Sequence, residues 1–143
     1  MEYNKNKNHI LLRLENGDEI MNSITEIAVK ENINFASITG IGAVNNVEIG
    51  LFDFKSKQYK RDRLDGEYEL TSLLGNVSMK DRKQFVHIHV NISDQNYKVF
   101  GGHLFSANIT ATGEIIIKVL EANVNRKYDK NIGLYLWDLS SCK

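Results

Sequence analysis

The stretch Phe85-Val86-His87-Ile88-His89-Val90-Asn91-Ile92 decides how this chain reads. Its β-branched residues favour extended backbone, and a strand turns successive side chains to opposite faces. Val86, Ile88, Val90 and Ile92 then share one face, and His87, His89 and Asn91 share the other. The first face belongs on a core. The second presents two imidazoles that can both reach one small ion. The chain has only four histidines, and a third follows in Gly101-Gly102-His103, which reads as the next strand. Three imidazoles would leave a fourth coordination position open for water or substrate, the catalytic type of zinc site rather than the closed structural type.

Whether His103 joins the other two depends on the hairpin between the strands. Ser93-Asp94-Gln95-Asn96 is turn-like in composition. A three-residue loop of Asp94 to Asn96 sets His103 opposite His87, and the same loop one position later sets it opposite His89. Both put all three rings on one face. A two-residue loop sets His103 opposite Ile88, on the wrong face, unless a bulge at Gly101-Gly102 restores the parity. The two glycines fit a backbone under close approach, and equally a plain strand kink. A lone His on a strand face is ordinarily solvated or hydrogen-bonded, so the third ring carries the metal argument.

Working outward, His9 to Leu14 reads as a strand with Ile10, Leu12 and Leu14 on one face, and His9 as an exposed residue at its start. Asn16-Gly17-Asp18 is a turn ending in a helix cap. Ile20, Ile24, Ile27 and Ala28 follow at helical spacing, an amphipathic helix for one face of a sheet. Glu19 and Lys30 suit its dipole. Phe35 to Val44 is a buried strand, Asn45-Asn46 a turn, and Val47 to Phe54 the next strand. Thr39-Gly40-Ile41-Gly42-Ala43 lacks the spacing of a phosphate loop and reads as strand under tight packing. Lys55 to Arg63 is a solvated hairpin or loop, its cations diluted by Asp62, Asp65 and Glu67. Tyr68 to Met79 is a strand bent at Gly75, and Lys80-Asp81-Arg82-Lys83 turns into the His-x-His strand. After His103 the chain turns near Thr112-Gly113 and continues as Glu114 to Glu121, apolar on both faces like a central strand. Asn123 to Asn131 is a polar connection to a final strand, Gly133 to Trp137. The pattern predicts an α+β fold, a mostly antiparallel twisted sheet with one main helix packed on it. Exposed edges and apolar residues favour an oligomer.

The 143 residues suit a single domain, its core at about residues 9–138, and a core without disulfide staples. Hydrophobic and charged contents of 42% and 25% are ordinary for a globular chain. The formal net charge of zero gives no general attraction to nucleic acid or anionic membrane. Cys142, the one cysteine, has no internal partner and reads as a tail thiol. The polar start from Met1 to Asn8 argues against a secretory signal, and no apolar run would span a bilayer, so a cytoplasmic protein is expected.

Taken in order, Ile38-Thr39-Gly40-Ile41-Gly42-Ala43, Gly50-Leu51-Phe52-Asp53, Glu69-Leu70, Ser72-Leu73-Leu74-Gly75-Asn76, His87-Ile88-His89, Gly101-Gly102-His103-Leu104 and Glu114-Ile115-Ile116-Ile117 resemble the plant and prokaryote conserved (PPC) domain. The match runs from about Ile10 to Trp137. The resemblance implies a homotrimer in which His87, His89 and His103 hold a metal, zinc first, and an overall fold similar to acetolactate decarboxylase. Fold alone transfers no activity. The family also carries a DNA-binding label, from plant members whose AT-hook contacts the minor groove. This chain has neither the Arg-Gly-Arg of the hook nor the positive charge that phosphate binding draws on. Assembly or partner contacts are the better-supported role. The alternative is a zinc-dependent enzyme, lyase or decarboxylase-like, acting on a small carbonyl metabolite. It would need a carboxylate as proton donor or acceptor. Glu69 and Glu114 are the candidates, although each reads equally as a surface strand residue, and Asn91 could orient a ligand or water.

Overall fold

Pairing between long strands organises the molecule. The computed structural model describes residues 1–141, so Cys142 lies outside the described residues. The order is β1 (Glu2–Asn6), β2 (His9–Glu15), α1 (Ile20–Lys30), β3 (Ala36–Asp53), β4 (Gln58–Lys80), β5 (Lys83–Ser93), β6 (Val99–Val119), β7 (Asn125–Asp129) and β8 (Leu134–Asp138), then a 3-10 turn at Leu139–Ser141. The sheet runs β1-β2-β6-β3-β4-β7-β8, with β5 paired to β4 and β6. Every pairing is antiparallel except one parallel bridge, Met79 with Asn125. Since β3 and β5 each pair with both β4 and β6, these four strands close on themselves.

The α+β expectation is overturned. Among the described residues the fold is largely β, with a single α-helix of 11 residues. Segments that read as short strands separated by turns are continuous. Asn45-Asn46 forms a bulge inside β3, where the register shifts between Asn45 and Val47 and Asn46 takes φ 49°. Thr112-Gly113 lies inside β6, next to a shift in its register with β3 between Gly42 and Val44, and most of the charged Lys55 to Arg63 run is the start of β4. Two polar stretches are also strands. Glu2–Asn6 and Asn125–Asp129 are mostly exposed on both faces, so they carry no alternation for periodicity to detect. Asp81 and Arg82, at φ 50° and 64°, make the tight two-residue hairpin between β4 and β5.

The helix forms as its spacing predicts, with Ile20, Ile24, Ile27 and Ala28 buried. It packs against β5 and β6. Each buried isoleucine stabilises the packing by about 1.5–3 kcal/mol. Its cap is Glu19 rather than Asp18. The Glu19 carboxylate accepts from the Met21 and Asn22 amides at 3.0 and 2.7 Å, and from the Ala107 amide of β6 at 3.2 Å. Asp18 instead accepts from the Glu15 amide at 2.8 Å, closing the preceding turn. No helix among the described residues is long and apolar enough to cross a membrane.

The other side of the sheet carries a cross-strand row. Leu11 pairs with Ile116, Ile116 with Thr39, Thr39 with Leu74, and Leu74 with His89. Leu11, Leu74, Ile116 and the nearby Ile41 are each between 46% and 60% exposed, so an apolar surface runs up to the histidines.

Gly75 holds β4 close to β5 beside that surface. A Cβ there would press on the His87 carbonyl oxygen and lie 2.7 Å from Ile88 Cγ1. Because the obstruction includes backbone, the strands must part. Gly75→Ala is expected to destabilise the protein by about 2 kcal/mol, a fall of roughly 6–10 °C in Tm. Calorimetry checks this; an unchanged Tm would mean that β5 accommodates the methyl without strain.

Candidate metal centre

The turn after β5 fixes the register. Asp94 Oδ1 accepts from the Asn96 and Lys98 amides at 2.8 and 2.9 Å, the Asp94 amide donates to Lys98 O at 3.0 Å, and Tyr97 takes φ 62°. His103 consequently faces His89, one of the two same-face registers that the sequence allows. It also faces Gly50, because β6 passes here from β5 to β3. The close approach of strands accounts for the two glycines. A Cβ on Gly101 would meet Asn91 Oδ1 and Val90 O, and one on Gly102 would lie 3.0 Å from Gly50 O. The ring centroids of His87, His89 and His103 are 5.1, 5.0 and 5.5 Å apart. One nitrogen from each lies within 4.8 Å of the others, close enough to hold a metal ion. His103 Nδ1 is buried without a hydrogen-bond partner among the described residues.

Aromatic rings and cations surround the group. Tyr59 and Phe105 each stand 4.8 Å from the His103 ring. Arg61 lies over Phe105 at 3.7 Å and pairs with Glu48 at 3.2 Å. Arg126 reaches in from β7, donating to Asn76 Oδ1, and Asn76 is the cross-strand partner of His87. Burial lowers the His87 pKa from its ordinary 6.5 to about 4, with repulsion from Arg126 and His89 adding to it. Burial also lowers His103 to about 4, helped by His87, His89, Arg61 and Arg126. Both rings are therefore neutral at pH 7, the state in which an imidazole binds metal. Burial raises the Tyr59 phenol, which stays protonated.

These shifts fix the sign of a pH effect on the metal-free protein. Below pH 6.5 the unfolded chain takes up protons that folded His87 and His103 refuse down to about 4. Stability is full above 6.5 and falls as pH drops through that window, by about 2 kcal/mol per ring once solvent screening of this partly open site is allowed for. Urea midpoints measured across the window should fall with pH in the wild type and less steeply in His87→Asn. Equal slopes would contradict this origin.

A sequence profile of the Plants and Prokaryotes Conserved (PCC) domain matches residues 1–121. The chain belongs to the PCC domain family. Solved structures share its fold. A plant- and prokaryote-conserved protein from Pyrococcus horikoshii is 37% identical, with a TM-score of 0.85 over 96% of this chain and 93% of that one. A metal-containing protein from Archaeoglobus fulgidus is 39% identical, with a TM-score of 0.85 over 96% of each chain. A Bacteroides thetaiotaomicron protein described as a "putative dna binding protein" has a TM-score of 0.94 at 27% identity, over 97% of each chain. No curated protein sequence matches significantly.

Within this PCC domain the three histidines converge, and the other candidates do not. Glu69 pairs with Ser93, four residues along β5 from His89, about 13 Å at strand spacing. Glu114 pairs with Arg13 and Ile41, far along β6 from His103. Within one chain neither of the carboxylates proposed for proton transfer stands beside the histidines. Asn91 spends its amide on Ser72 Oγ at 3.0 Å. His9 is exposed on β2, opposite Asn6 and Lys118. Sequence reasoning passed over Tyr59, Asn76, Phe105 and Arg126 as site residues. Phe105 could have been found, since it shares the face of His103 two residues on. Arg126 and Tyr59 arrive from strands that read as loop.

Proposed function

We propose that this PCC protein is a homotrimer that binds zinc through His87, His89 and His103 and acts through assembly or partner contacts. The observation that carries the metal reading is the His103 Nδ1 atom, buried without a partner beside two further imidazoles. Such a nitrogen is costly to leave bare, and a metal ion would complete it. The donor set suits zinc with one position open; nickel, copper and iron also accept imidazole. The description of the Archaeoglobus relative as metal-containing supports a bound metal here.

Self-association is supported by the exposed apolar residues Leu11, Ile41, Leu74 and Ile116, which strand pairing gathers on one surface. The number three comes from the family resemblance. DNA binding has the label of the Bacteroides protein behind it. Against it stand a net charge of zero and the missing hook. Native mass spectrometry of untagged protein tests the proposal in one spectrum. Three chains with three zinc ions are expected; a metal-free monomer would contradict both parts.

A further inference from the structure

Arg126 is a half-buried cation whose hydrogen-bond acceptors among the described residues are all neutral. Nε donates to Ser78 Oγ at 2.8 Å, one terminal nitrogen to Tyr135 O at 2.9 Å, and the other to Asn76 Oδ1 at 3.1 Å. A guanidinium has five N–H donors, and among the described residues these bonds use three of them. Its carbon lies 4.7 Å from the Phe85 ring centroid, and Phe85 is two residues from His87 on the same face of β5. Asn76 ties it directly to the strand position opposite His87. Arg126 also acts electrostatically on His87, His103 and Tyr59. A second cation, Arg61, stands on the Phe105 side and is balanced by Glu48. The histidine group itself contains no carboxylate.

A divalent ion on the three imidazoles would add its full charge to a site already in the field of Arg126. The ligand that completes such a site is selected for negative charge. The planar guanidinium fork matches paired oxygens, and the Tyr59, Phe105 and Phe85 rings suit a ligand with a carbon body. We infer that the site takes a small organic carboxylate, held between the open position of the ion and the Arg126 guanidinium. This rests on the three-histidine metal reading.

The test uses cobalt-substituted protein, whose visible spectrum reports ligands entering the open position, with cobalt content measured first. Butyrate is compared with the neutral butyramide and with inorganic phosphate, in the wild type, Arg126→Gln and Arg126→Lys. Butyrate is expected to bind the wild type at least tenfold more tightly than butyramide or phosphate. Arg126→Gln should weaken butyrate about tenfold or more, with cobalt content and imidazole binding unchanged, and Arg126→Lys should fall between. Equal affinity for butyrate and butyramide in the wild type overturns the inference without reference to any variant, and tighter phosphate overturns the carboxylate class. Butyrate affinity unchanged in Arg126→Gln overturns the role of Arg126. A wild type that takes up no cobalt overturns the metal reading itself, and this inference with it.

Discussion

Zinc binding to His103→Ala is expected to be weaker than to the wild type by about 10³-fold or more. Loss of an outer partner of a metal ligand typically costs roughly 10–100-fold, and His103 would be a ligand itself. Its position is central. It faces His89 on one side and Gly50 on the other, and its Nδ1 has no hydrogen-bond partner among the described residues. The fold should survive the change, because Leu104 beside it keeps its place in the core and the backbone pairing of β6 remains. Competition titration against a chromophoric chelator measures the loss. His9→Ala is the matched control, since His9 sits exposed on β2, and should bind like the wild type. Equal affinity in His103→Ala and the wild type would remove His103 from the site.

Ile116→Glu is expected to break the oligomer. Ile116 lies between Leu11 and Thr39 in the row that ends at His89, at 46% exposure in the single chain. If that row is covered by other copies, a carboxylate there must be desolvated without a partner, at a cost of several kcal/mol. A cost of that size weakens association by about 10³-fold or more. Light scattering should report three 16.3 kDa chains for the wild type and one for the variant. Since Ile116 is separated from His89 by Thr39 and Leu74, the variant should still bind zinc. A variant that stays fully assembled would place the contact surface elsewhere.

What the sequence showed and what it hid have physical causes. The His-x-His strand was legible because alternation is strict where one face is buried, as it is at Val86, Ile88, Val90 and Ile92. The helix was legible for the same reason at its own period. The sequence left His103 two same-face registers and one wrong-face register, and the five-residue link from Asp94 to Lys98, closed by the Asp94 carboxylate, selects one of the same-face pair. The fold class was misread because bulges keep strands continuous through residues that otherwise signal turns, Asn45-Asn46 above all. Arg126 and Tyr59 were hidden because β7 and the first part of β4 are exposed strands with no apolar stripe. The exposed row from Leu11 to Leu74 could not be seen at all until the pairing of four strands aligned it.

X-ray absorption at the zinc edge of the loaded wild type addresses the central claim directly, because it reports which atoms touch the ion. The three-histidine site predicts imidazole scattering from three nitrogens at about 2.0–2.1 Å, with one further light ligand. The same measurement on His87→Ala/His89→Ala should lose that signature. A wild-type spectrum dominated by thiolate, or by oxygen without imidazole, would contradict the assignment of His87, His89 and His103.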